Sequence, residues 1–185
     1  MLNQINLQGT VEMSNGNYYL VVNRTKDKTD KIPLGSKRQS ENEPLNKYGY
    51  ELDMAPLVGQ RISLVGEWNP DDSKVNVKHY NSPDRDRDYS EIEFEGTVKK
   101  IPEVRVTKKG REVQDILILV EPFKRYFKVV AWERIPEDFK CLGEKVKVKG
   151  YMQARVYLKK TAFSFENATK YEVSLHHMEC LDDQR

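Results

Sequence analysis

The chain has 185 residues, 38% of them hydrophobic and 32% charged, with a formal net charge of +2. That balance suits compact modules with very polar surfaces. No apolar run approaches a membrane span, and a charge this close to neutral neither demands nor excludes a polyanionic partner. The two cysteines, Cys141 and Cys180, make neither a disulfide framework nor a metal-ligand set and read as two reduced thiols. The N-terminus lacks a basic segment followed by an apolar one, so a soluble, cytoplasmic protein is expected.

The first predicted strand covers residues 5–12, where Ile5, Leu7, Gly9 and Val11 fall on one face by alternation. Asn15-Gly16 marks a tight hairpin, and YYLVVNR, residues 18–24, reads as the returning strand. Residues 35–56 are polar and read as a long loop. Ile62, Leu64, Gly66 and Trp68 alternate in a further strand, and residues 81–90, NSPDRDRDYS, form a proline- and charge-rich connector. After the connector the pattern begins again. Ile92, Phe94, Gly96 and Val98 alternate with polar residues; strands follow near 112–121 and 125–132, then a short helix over 134–142. Val146, Val148, Gly150 and Met152 mark the next strand.

Two blocks recur in order. Residues 5–12 match 92–99, and LVGQRISLVGE, residues 57–67, matches CLGEKVKVKGY, residues 141–151. The offsets are 87 and 84 residues, as expected of one small module duplicated. Each copy carries a glycine inside its first strand and another inside its fourth, where a small barrel needs sharp bends. Five strands with a helix between the third and fourth is the order of an OB-fold barrel. The expectation is an all-β chain of two tandem OB folds, each a five-stranded Greek-key barrel with a short helix between strands 3 and 4. The first spans residues 1–80, the connector 81–90, and the second 91–185.

PEVRVTKKGREVQDILILV, residues 102–120, followed by FKVVAW at 127–132 and LGEKVKVKGYMQARVY at 142–157, resembles the bacterial single-stranded DNA-binding protein family. The resemblance covers residues 91–181. Residues 1–80 share only the first- and fourth-strand signatures and read as a divergent second OB copy. The resemblance implies sequence-tolerant binding of single-stranded DNA, in replication, restart, recombination or mobile-element maintenance. The chain ends in ECLDDQR, without the acidic, hydrophobic tip by which such proteins recruit partner enzymes. That departure counts against a general replication hub; replication or restart proteins remain the partners implied. By analogy with the family, the chain is a homodimer or an internally paired monomer.

Capturing a single strand without regard to sequence needs flat π surfaces for bases and cations for phosphates. Strand parity over 126–132 turns Phe127, Val129 and Ala131 inward and leaves Tyr126, Lys128, Val130 and Trp132 outside. The resemblance agrees: Tyr126, Trp132 and Tyr157 fall where family members place stacking aromatics, and Arg105 matches the arginine of a Pro-Glu-x-Arg segment. Lys108, Lys109 and Arg111 lie in or beside a turn; Arg155, Tyr157, Lys159 and Lys160 mark a hairpin projecting beyond the barrel. Lys145, Lys147 and Lys149 form an outward row that serves either DNA or edge protection. The aromatic rings have a plainer reading, packing against another subunit or domain.

The three histidines, His79, His176 and His177, join no catalytic or metal-binding constellation, so neither an enzyme nor a cofactor is expected. An OB-fold protein-interaction adaptor within a replication or transfer complex, and an RNA-binding OB protein, are the alternatives.

Overall fold

The computed structural model describes residues 3–35, 53–121, 124–135 and 141–181. The chain divides into two compact units, Asn3–Glu91 and Ile92–Arg185 with Met1–Leu2. The first contains β1 (Asn3–Ser14), β2 (Asn17–Thr25), β3 (Lys28–Gly35), β4 (Arg61–Asn69) and β5 (Lys74–Asn81). Each strand is bonded to two others: β1–β2, β2–β3, β4–β5 and β1–β4 are antiparallel and β3–β5 parallel. The ring 1-2-3-5-4-1 leaves no free edge, the closure by which small barrels avoid edge-to-edge pairing.

The second unit contains β6 (Tyr89–Lys100), β7 (Arg105–Val106), β8 (Glu112–Val120), β9 (Arg125–Ala131), β10 (Lys145–Lys160) and β11 (Phe165–Cys180). It repeats the ring as β6–β8–β9–β11–β10–β6, with β9 and β11 parallel, and β7 is a short addition pairing with β8. Alternation fills both barrels. Ile5, Leu7, Leu20, Ile32 and Leu64 are buried in the first, and Ile92, Phe94, Ile116, Ile118, Val129 and Met152 in the second.

The duplication is written in hydrogen bonds as well as in sequence. In the first unit the Gly59 N–H donates to the Val11 carbonyl at 2.8 Å, and in the second the Gly143 N–H donates to the Val98 carbonyl at 2.8 Å. Both glycines have positive φ, 83° and 88°. The register slips at Val65/Gly66 in the fourth strand of one unit and at Lys149/Gly150 in the other. At Gly96 a Cβ would lie 2.7 Å from the Leu119 carbonyl oxygen and 2.6 Å from a methyl of Ile118, so only glycine lets the strands approach this closely. Gly96→Ala is expected to lower stability by about 1–3 kcal/mol, the usual range for overpacking, and denaturant titration checks it.

Some local expectations hold and others change. The Asn15-Gly16 turn forms, with φ of 52° and 74°. Between β3 and β4 the described residues hold only a 3-10 turn, Ala55–Leu57, ended where Val58 leaves the helical region (ψ 128°) and Gly59 takes a positive φ of 83°. The helix expected over 134–142 falls largely on residues 136–140, outside the described residues, as does most of the 35–56 loop. Residues 84–88 of the segment expected as a connector are hydrogen-bonded into the first unit. The buried Gln8 amide accepts from the Asp84 and Arg85 N–H groups at 2.8 and 3.2 Å and donates to the Arg85 and Arg87 carbonyls at 2.7 and 2.8 Å. Asp88 accepts from Arg61 Nε at 2.8 Å and from the Asn23 side chain at 3.0 Å.

The cysteines are also corrected. Cys141, just before β10, and Cys180, the last residue of β11, form a disulfide with Cα atoms 6.2 Å apart, within the usual span. The β10–β11 register, which sets Val146 opposite Cys180, brings these positions to one end of the barrel. Among the described residues no helix is long and apolar enough to cross a membrane.

Candidate nucleic-acid interface

β9 lies between β8 and β11, so its outer face has neighbours on both sides. Tyr126 lies opposite Leu119 and Lys128 opposite Leu117; Val130 lies between Asp115 on β8 and Ser174 on β11. Tyr126 is 60% exposed and Trp132, just past the strand end, 37% exposed. The two residues are six positions apart, roughly 20 Å at strand rise. Phe127, Val129 and Ala131 are buried, the first with its ring 4.8 Å from that of Phe94.

Val130 departs from the parity reading. It is 2% exposed although alternation assigns it to the outer face, where its register partners are Asp115 and Ser174. The outer surface is therefore two aromatic positions separated by a buried valine and a clamped lysine, not a continuous platform.

Lys128 is 18% exposed and lies 3.2 Å from Asp115 and 3.4 Å from Glu172. Arg105 makes a two-pronged contact with the same Asp115, Nε at 3.2 Å and Nη2 at 3.1 Å. Desolvation pushes the Asp115 carboxyl up, but the Arg105 and Lys128 partners outweigh it and hold it below its ordinary value of 3.8. The stability from this depressed carboxyl is present above that value and is lost as the pH falls through the folded pKa, so at neutral pH the clamp is fully charged. Arg105 and Lys128, expected as phosphate contacts, are thus already partnered. Asp115 and Glu172 escape a sequence reading because they lie across strands, 13 and 44 positions from Lys128. Asp115→Asn is expected to tighten oligo-dT binding a few-fold at low salt. It should steepen the log–log salt slope by about 0.7 per released cation, read by anisotropy titrations over a salt series.

The other cations are freer. The β7–β8 turn is closed by Thr107, whose carbonyl accepts from the Gly110 N–H at 2.9 Å and whose Oγ1 accepts from the Arg111 N–H at 3.1 Å. It leaves Lys108 and Lys109 exposed at its tip. Arg111 folds back so that its guanidinium stands 5.0 Å from the centre of the Trp132 ring, while the indole N–H donates to Ser174 Oγ at 3.1 Å. The ring is held at its edge and capped on one face, and the residue is 37% exposed.

β10 and β11 run 16 residues each, against 9 and 8 for β4 and β5. The extra length projects beyond the barrel as an arm. Cross-strand pairs Arg155↔Lys170, Tyr157↔Ala168 and Lys159↔Glu166 share the outer face. Lys160, on the same hairpin, lies on the opposite face with Phe165, because neighbours along a strand point to opposite sides. The lysine row on β10 does not protect an edge, since β10 is paired on both sides; Lys147 and Lys149 lie 2.6 and 3.8 Å from Glu93.

Among the described residues, the first unit lacks the pair of features that mark the second. Thr10 opposes Val21 as Thr97 opposes Leu119, and β3 opposes β2 in the same way that β9 opposes β8. Tyr126 and Lys128 thereby correspond to Lys31 and Pro33. As for metals, among the described residues one group, Cys141, Glu144 and Cys180, has ligand atoms within 4.8 Å of one another, but the disulfide occupies both sulfurs.

No protein-family model and no curated protein sequence matches the chain. Two solved structures are similar along both units. The wild-type single-stranded DNA binding protein from Thermus aquaticus is 18% identical, with 97% of this chain and 92% of that chain covered at a TM-score of 0.57. A deletion variant of that protein is 19% identical, with 97% and 94% covered at 0.54. The chain therefore has an OB fold like that of a bacterial single-stranded DNA binding protein.

Proposed function

We propose that the outer face of the second unit binds single-stranded DNA with little sequence preference. Bases stack on Trp132 and Tyr126, and the backbone meets Lys108, Lys109, Arg111, Arg155 and Lys159. Tyr157, on the same face of the arm, extends the stacking track. The observation carrying this reading is the exposure of an indole and a phenol along one barrel face, flanked by two basic elements. A soluble monomer gains nothing from such rings in water, whereas each stacked base contributes about 1–3 kcal/mol. The protein is read as a binding protein, not a catalyst, acting in replication, restart, recombination or mobile-element maintenance, with replication or restart proteins as partners.

The test is quenching of intrinsic fluorescence by oligo-dT, oligo-U and duplex DNA over a salt series. Of the two tryptophans, Trp68 is buried, so the response reports on Trp132. Strong, salt-sensitive quenching by oligo-dT is expected, with little response to duplex. A stronger response to oligo-U would assign RNA, and no quenching at low salt would leave the protein-interaction adaptor.

A further inference from the structure

The turn leading into β10 carries two groups that its counterpart in the first unit does without. Before β4 the Gln60 N–H donates to the Leu57 carbonyl at 2.9 Å, the Gly59 N–H to the Val11 carbonyl at 2.8 Å, and the Val11 N–H to the Gln60 carbonyl at 2.9 Å. Before β10 the same three bonds recur, from Glu144 to Cys141 at 3.1 Å, Gly143 to Val98 at 2.8 Å and Val98 to Glu144 at 3.0 Å. Where the first copy has an apolar leucine and a neutral amide, the second has a sulfur and a carboxylate. The first unit closes this turn with neither, so the barrel does not require them.

Cys180 completes the set. It ends β11 opposite Val146, and the next residue, Leu181, donates its N–H to the Lys145 carbonyl at 2.9 Å. The ligand atoms of Cys141, Glu144 and Cys180 lie within 4.8 Å of one another, with Cys141 only 1% exposed and the other two half-buried. Backbone bonds, independent of the disulfide, hold all three positions, so they stay together when the S–S bond is broken.

We infer that the reduced chain binds a zinc ion here, and that disulfide and metal are alternative states of the same cysteine pair. Two thiolates and a carboxylate are groups that zinc takes in a tetrahedral site, with water in the fourth position. Soft thiolates select zinc over magnesium or calcium. Zinc–sulfur bonds of about 2.3 Å set two tetrahedral thiolates ~3.8 Å apart, inside the 4.8 Å that the three groups already span, so side-chain rotation suffices. A disulfide uses the two sulfurs; the metal uses the carboxylate as well. The interconversion balances: two equivalents of a small thiol break the S–S bond, pass two electrons to the pair and leave as their own disulfide. Zinc then displaces the two cysteine thiol protons. The assignment goes beyond the nucleic-acid reading and does not depend on it.

Cobalt(II) titration of the full chain, followed by absorption spectroscopy, tests it. The chain is first reduced with a phosphine, which is then removed under inert gas. One cobalt per chain is expected, with a thiolate-to-cobalt charge-transfer band and the strong visible bands of four-coordinate cobalt. Both should vanish on adding an equivalent of zinc, and the oxidised chain should show neither. Glu144→Gln, which installs the group found at Gln60, should keep the far-UV circular dichroism and weaken cobalt binding at least about tenfold, since even partners outside the ligand set are worth about 10–100-fold. A reduced wild-type chain without the charge-transfer band, or a Glu144→Gln variant that binds cobalt like wild type, would overturn the inference.

Discussion

Trp132→Ala is expected to weaken oligo-dT binding by about 1–3 kcal/mol, roughly 5- to 150-fold, with the fold intact. The size follows from how the ring is held. Ser174 fixes the indole N–H and Arg111 caps one face, so little conformational freedom is lost when a base meets the other. Alanine removes the stacking surface and frees Arg111, whose charge stays in place. The salt slope should therefore barely change. Replacing Lys108 and Lys109 should instead lower the slope by about 0.7 for each lost phosphate contact. Anisotropy titrations of labelled oligo-dT at several salt concentrations separate the two. Tyr126→Ala should behave like Trp132→Ala, and wild-type affinity in both variants would remove the proposed site.

Gln8→Ala is expected to destabilise the first unit by about 3 kcal/mol, as four hydrogen bonds at about 1 kcal/mol each are lost and water recovers part of the loss. Gln8 is fully buried, and its amide satisfies four backbone groups of residues 84–87, two donors and two acceptors. Without it the segment keeps Asp88, itself nearly buried against Arg61, and the Tyr89 hydroxyl 2.9 Å from Ser63 Oγ. Loosening of 82–88 should precede unfolding of the strands. Hydrogen exchange at Asp84 and Arg85 would show it first, and denaturant titration gives the total. Protection unchanged from wild type would mean that the segment is held elsewhere.

Much of the fold was legible because period-2 patterns, an Asn-Gly turn and in-strand glycines act locally. The repeated blocks are real in a stronger sense than sequence identity: Gly59 and Gly143 make the same bond to the same strand position. What the sequence hid is what partners across strands supply. Lys128 reads as an exposed cation from parity, yet its charge is met by Asp115 and Glu172 from two other strands. Val130 reads as outward by alternation and is 2% exposed. The connector reads as free because its composition is that of a linker, while the Gln8 amide that binds it lies 77 residues away. The two faces of the arm were legible in principle. Lys159 and Lys160 both lie on the β10–β11 hairpin, and alternation sets them on its opposite faces.

Among the described residues the two units share a barrel scaffold, and the aromatics, cations and long arm of the proposed site lie in the second. Photocrosslinking of oligo-dT to the full chain, mapped by mass spectrometry, tests it most directly. Adducts at Trp132, Tyr126 and Tyr157 are expected. Adducts confined to the first unit, at Tyr18, Tyr19 or Tyr80, would contradict the account.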